Sequence, residues 1–88
     1  MDRIELYQKA IETYGEESQR RVAIEEMSEL TKELCKWDRG HNNRLYIAEE
    51  IADVKIMLEQ LTLIHGCDDL INDWYDFKLE RLERKLTE

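Results

Sequence analysis

The sequence predicts an all-α protein, an antiparallel bundle of four helices forming a single domain over residues 1–88. Three observations carry that expectation. The chain contains no proline, and its three glycines, Gly15, Gly40 and Gly66, each follow a helix-like run, where glycine can take the left-handed conformation that ends a helix. Apolar residues recur at alternating steps of three and four between those glycines, the period of one helix face. No stretch reads as a strand pair, a repeat or a low-complexity linker.

The glycines divide the chain into four segments. Helix 1 runs over about Asp2–Tyr14 and helix 2 over about Glu17–Asp38, where Ala23, Met27, Leu30, Leu34 and Trp37 share an arc. A polar turn, "RGHNN", follows. Helix 3 runs over about Leu45–His65, with Ile47, Ile51, Val54, Leu58 and Leu61 as its stripe and Asn42 or Asn43 as its cap. Helix 4 covers about Asp68–Leu86, capped by Asp68 or Asp69, and offers Leu70, Trp74, Phe77, Leu82 and Leu86 for packing. Short connections between four amphipathic helices favour an antiparallel bundle.

Composition excludes several function classes. A formal net charge of −8 argues against binding polymeric nucleic acid, which requires a basic footprint. It leaves room for one small phosphorylated ligand held through a divalent cation and a few local bases. No apolar run approaches the roughly 18–20 residues that span a bilayer. The opening "MDRIELYQKA" lacks a signal-peptide layout, so the expected location is the cytoplasm and no membrane partner is expected. Cys35 and Cys67 have neither CxxC nor zinc-like spacing, which suits reduced, partly buried thiols. A chain of 88 residues buries a modest fraction of its surface, so self-association would add core.

Two stretches break the amphipathic pattern. In "VAIEEMSEL" the helical wheel places Glu26 between Val22 and Trp37, inside the edge of the apolar arc, with Glu29 roughly 60° further round. In "IAEEIADVKIM", Glu50 falls between Met57 and the stripe, and Asp53 lies just outside Tyr46 and Ile64. Each pair is spaced i, i+3, so its two carboxylates point the same way. Like charges so placed become favourable around a hard cation, and all-oxygen ligands suit Mg²⁺ or Mn²⁺ over zinc or copper. The plain alternative is a solvated acidic face. Asp2 with Glu5, Asp73 with Asp76 and Glu80 with Glu83 share the spacing and read that way. What sets the central pairs apart is a preceding acid, Glu25 or Glu49, and contact with an apolar arc. His41 and His65 do not follow a glutamate by three residues, as a ferritin-like di-iron site requires.

"EEMSE" followed by "EEIAD" resembles the EExxE…ExxD signature of the MazG-like all-α nucleoside triphosphate pyrophosphohydrolases. "YQKAIETYGEESQRRVAIEEMSELTKELCKWDRG" looks like the N-terminal half of the short single-domain members, and "YDFKLERLERKL" like their basic closing helix. The resemblance implies a homo-oligomer, dimer or tetramer, that hydrolyses a nucleoside triphosphate between its α- and β-phosphates, giving a monophosphate and pyrophosphate. It implies Glu26, Glu29, Glu50 and Asp53 as metal ligands, with Mg²⁺ as cofactor and Mn²⁺ as a substitute. Glu25 and Glu49 are adjacent acids, and any of Glu25, Glu29 or Glu49 can serve to activate water. Lys78 and Arg81 occupy the positions of phosphate-binding bases, although "KLERLERKL" also reads as a salt-bridged surface. Trp37, and within the matched "GEESQ" segment Gln19, are candidates for contacting a base; core packing is the commoner role for such a tryptophan. Two alternatives stand beside this reading: a phosphoribosyl-ATP pyrophosphohydrolase of the same superfamily, and a non-catalytic helical oligomerisation module.

Overall fold

A computed structural model describes all 88 residues. It contains four α-helices and no strand: α1 (Arg3–Tyr14), α2 (Glu16–Asp38), α3 (Arg44–His65) and α4 (Asp68–Thr87). Local chemistry sets the ends. The Glu5 amide donates to Asp2 Oδ1 at 2.8 Å, capping α1. Gly15, at φ 92°, turns the chain between α1 and α2, a conformation that a side chain would oppose. Gly66, at φ 56°, closes α3 in the left-handed conformation, and the Cys67 amide reaches back to the Thr62 carbonyl at 3.3 Å.

Two expected caps are replaced. Asn43 precedes α3, but its side chain does not bond the helix amides; its Nδ2 donates instead to α2, to the Glu33 carbonyl at 2.9 Å and to Glu33 Oε2 at 2.6 Å. That link ties the turn across the hairpin, which a cap on α3 alone would not do. Asp68 is already helical, and Cys67 occupies the cap position of α4 without a side-chain bond. Cys35 is exposed and Cys67 half-buried, so the expectation of a partly buried thiol fails for Cys35, which sits on the outer face of α2.

The centre of the molecule is the antiparallel hairpin of α2 and α3, with α1 packed on both. Its inner face is not the one that the apolar stripes mark. On α3 the shielded side runs through Ile47, Glu50, Asp53, Val54, Met57, Gln60, Leu61 and Ile64. Ile51 and Leu58, expected in the core, are 43% and 47% exposed. On α2 the shielded side runs through Gln19, Val22, Ala23, Glu26, Leu30 and Glu33, while Met27, Leu34 and Trp37 face outward. Polar groups thus occupy the seam itself. The only buried apolar residues are Tyr7, Ala23 and Met57.

Gln19 shows how a polar seam is made tolerable. It is buried, and its Nε2 donates to Gln60 Oε1 across the hairpin at 2.8 Å. A buried amide pair satisfied in this way fixes the register of two helices. The amide nitrogen of Gln19, a candidate for contacting a nucleotide base, is thus engaged with Gln60 in the core.

The expected four-helix bundle does not close within one chain. No residue of α4 is buried, and Leu70, Trp74, Tyr75 and Leu86 are all more than half exposed. The bundle expectation assumed that each apolar stripe is satisfied by its own chain; that of α4 is not. The dimensions record the consequence. The radius of gyration is 16.0 Å, against about 12 Å for a compact domain of this length. The accessible surface is 7288 Å², against about 5,500 Å² for a compact monomer of this mass.

The Gln19–Gln60 bond generates a stability prediction. Gln19→Met leaves Gln60 Oε1 buried without a donor and should cost about 1–3 kcal/mol in urea unfolding. The double variant with Gln60→Met should recover much of that loss, because both partners are then apolar. A single variant as stable as the parent would show that the bond contributes nothing.

Candidate metal centre

Midway along the seam, Glu26 of α2 meets Glu50 and Asp53 of α3. One carboxylate oxygen from each lies within 4.8 Å of the other two, and all three residues are half-buried. Helix periodicity builds the group. Glu50 and Asp53 are three residues apart and share a face of α3, while Glu26 lies between Ala23 and Leu30 on the shielded face of α2. The hairpin brings the two faces together.

The electrostatics are unfavourable for three bare carboxylates. Burial raises the Glu26 carboxyl above its ordinary range, and the neighbouring charges of Asp53, Glu50 and Glu29 push it further up. Burial likewise raises Glu50, followed by the charges of Asp53, Glu29 and Glu49. Glu50 Oε2 is shielded from solvent and has no hydrogen-bond partner. The ion pairs of the chain are Arg3–Glu59, Arg20–Glu16, Arg21–Glu17 and Lys36–Glu33, so no base reaches the group.

Glu33 provides an internal contrast. It lies two turns beyond Glu26 on the same face of α2 and accepts the Asn43 amide, with Lys36 Nζ at 3.4 Å. The Asn43 bond is the main reason its carboxyl sits below the usual range, with the Lys32 and Lys36 charges assisting against burial. One seam therefore holds a satisfied acid and, beside it, an unsatisfied cluster. Sequence reasoning missed the Glu33–Asn43 pair. The spacing of seven between Glu26 and Glu33 was the available signal, since it returns a residue to the same helix face.

Of the four expected metal ligands, Glu26, Glu50 and Asp53 are brought together, while Glu29 is exposed and stands outside the group. Glu25 and Glu49 are exposed. Trp37 is 49% exposed at the end of α2. Lys78 and Arg81 lie on α4, which the chain does not fold onto the cluster. The salt-bridged surface that "KLERLERKL" suggested does not form, since no ion pair involves α4. Lys78 Nζ lies instead 6.0 Å from the ring centre of Trp74.

Three oxygen ligands, one with an orphaned shielded lone pair, suit a hard divalent cation such as Mg²⁺ or Mn²⁺. The two surface hollows lie elsewhere, one between α1 and α3 at Leu6, Tyr7, Ala52 and Ile56, the other around Gly15, so no substrate-sized cleft forms at the cluster within one chain. No helix is long and apolar enough to cross a membrane. Comparison with known protein families, with curated proteins and with solved structures finds no match to this chain.

The raised carboxyls generate a prediction with a definite sign. A group raised in the folded state binds its proton more tightly there. Its stabilising contribution is present below the unfolded value of about 4.3 and is lost as pH rises through the folded value. Glu33, being lowered, behaves oppositely: its contribution holds above that value and is lost as pH falls. In metal-free protein Glu26→Gln should therefore raise the melting temperature at pH 7, with the gain vanishing near pH 4. Millimolar Mg²⁺ should raise the parent's melting temperature at pH 7 and leave Glu50→Gln unmoved. A Glu26→Gln variant that melts lower than the parent at pH 7 would contradict the repulsion.

Proposed function

We propose that this chain is a Mg²⁺-dependent nucleoside triphosphate pyrophosphohydrolase of the MazG-like all-α type, acting as a homo-oligomer. The observation that carries the reading is the trio Glu26, Glu50 and Asp53, gathered across one seam without a base and with Glu50 Oε2 orphaned. The EExxE…ExxD resemblance supports it, because these three residues occupy its acidic positions. The trio would hold the cation, which when bound neutralises polyphosphate charge and stabilises charge build-up in the transition state.

The chain's own residues supply the rest. A water oxygen bonds to phosphorus, the bridging bond between the α- and β-phosphates breaks, and pyrophosphate leaves with that bond's electron pair. The water's proton goes to a carboxylate. Of the candidates Glu25, Glu29 and Glu49, we favour Glu29, whose charge acts on both Glu26 and Glu50 while its side chain remains outside the trio. Lys78 offers a point charge and Arg81 a planar fork for phosphate oxygens. Exposed Trp37 offers a stacking surface for a base.

The test is pyrophosphate release from a panel of NTPs and dNTPs with Mg²⁺. Glu50→Gln should lower the rate by on the order of 100-fold or more with the fold intact. Glu83→Gln, on the opposite side of α4 from its apolar residues, should be nearly silent. Turnover of phosphoribosyl-ATP alone would favour the sister activity. No release from any substrate, with no metal-dependent stabilisation, would leave a non-catalytic helical module.

A further inference from the structure

Helix α1 is held to the hairpin by very little. Tyr7 is its one buried residue, with Ala10 and Ile11 half-buried beyond it, while Ile4, Leu6 and Tyr14 face solvent. Its single ion pair, Arg3 Nη1 to Glu59 Oε1 at 3.6 Å, joins side chains that are 72% and 42% exposed, and pairs of that kind add little. Two hollows separate α1 from α3, one before Tyr7 along the helix and one after it. The first, of ≈ 470 Å³, lies at Leu6, Ala52 and Ile56, and the second, of ≈ 500 Å³, around Ile11, Gly15 and Leu63. α1 thus meets α3 at one stitch between two gaps. It joins the rest of the chain through Gly15, at φ 92°, where no side chain restrains the backbone.

That stitch borders the acidic trio. The apolar core consists of Tyr7, Ala23 and Met57, one residue from each of α1, α2 and α3, so lifting α1 away opens it. Ala23 precedes Glu26 by three residues and Met57 follows Asp53 by four, spacings that keep to one helix face. The Cα–Cβ bonds of a helix tilt toward its N-terminus, which carries Glu26 toward the Ala23 layer and Met57 toward Asp53. Opening this layer admits water to the trio. Sealing it strengthens the repulsion among bare carboxylates, because charges interact more strongly away from water.

We propose that α1 is a hinged cover, pivoting at Gly15, whose docking is coupled to the charge of Glu26, Glu50 and Asp53. With the trio bare, docking takes three like charges further from water, and α1 opens while the hairpin stays folded. With the trio neutralised, by a divalent cation or by substitution, that penalty falls and α1 closes. The coupling is reciprocal, so a cation that favours closure binds more tightly to the closed form. The proposal rests on the hydrolase reading only for the identity of the neutralising ion; the coupling itself rests on the place of Tyr7 and the charge of the trio.

The test follows backbone amide hydrogen exchange in the full chain by NMR at pH 7. In metal-free protein the amides of Tyr7 to Ile11 should exchange faster than those of Ala23 and Met57, because an undocked helix of 12 residues is marginal in water. Glu50→Gln, which removes one charge and keeps the side chain's size, should slow the α1 amides by roughly 5-fold or more, and saturating Mg²⁺ should do the same in the parent. Amides of α1 that exchange in step with Ala23 and Met57, or that keep their rate in Glu50→Gln, would overturn the proposal whether or not metal binds. Mg²⁺ that slows exchange across the whole parent chain while Glu50→Gln leaves α1 unmoved would overturn the cover and leave the metal site standing. Slowing in Glu50→Gln with no response of the parent to Mg²⁺ would uphold the coupling and sink the metal-dependent hydrolase reading.

Discussion

Three carboxylates held within 4.8 Å of one another across the α2–α3 seam set the terms for the rest of the molecule. Water would separate or solvate them if they were free. Here Glu26 and Glu50 are partly desolvated, and each feels the charge of Asp53. Their cost must be carried by the packing on either side, and that packing is thin: Tyr7, Ala23 and Met57 are the buried apolar residues. The Gln19–Gln60 bond and the Asn43 bonds to Glu33 therefore matter more here than they would beside a large core. They hold the seam from both ends around a centre that repels itself.

Such a hairpin is incomplete alone. Its outward apolar residues are uncovered, no Lys or Arg pairs with its acidic trio, and α4 carries both an uncovered apolar face and bases without ion pairs. These deficits are complementary. A divalent cation would answer the charge at short range, and the apolar face of α4 would still need a cover. Marginal stability in the isolated, metal-free chain is the expected consequence, because stabilisation by bound species enters by mass action.

The helix count, the order of the helices and their limits to within one residue were legible in the sequence, because glycine punctuation and the absence of proline act locally. The orientation of each helix was not. A wheel assigns one centre to an apolar stripe, and the stripe of Ile47, Ile51, Val54, Leu58 and Leu61 mixes an inward half with an outward half. Ile47, Val54 and Leu61 face the seam, whereas Ile51 and Leu58 face away. That rotation is why Glu50 and Asp53 seemed to sit at the margin of the core when they lie on its inner face. The acidic positions were found all the same, since spacing i, i+3 survives any rotation of the helix. Glu29 was assigned with them by its i, i+3 spacing and by the resemblance, and it stands apart, because the seam closes over Glu26 and leaves its neighbour one turn on outside. The packing of α4 was beyond local reasoning, since its stripe says that something covers it and not which chain does so.

The account depends on Glu50 being a desolvated, repelled carboxylate that a divalent cation relieves. Carbon-13 NMR of the Glu50 side-chain carboxyl, titrated with pH in the absence and presence of Mg²⁺, measures this directly. The account predicts a midpoint above the ordinary glutamate value without metal and a shift to well below it with Mg²⁺. An ordinary midpoint that Mg²⁺ does not move would contradict it.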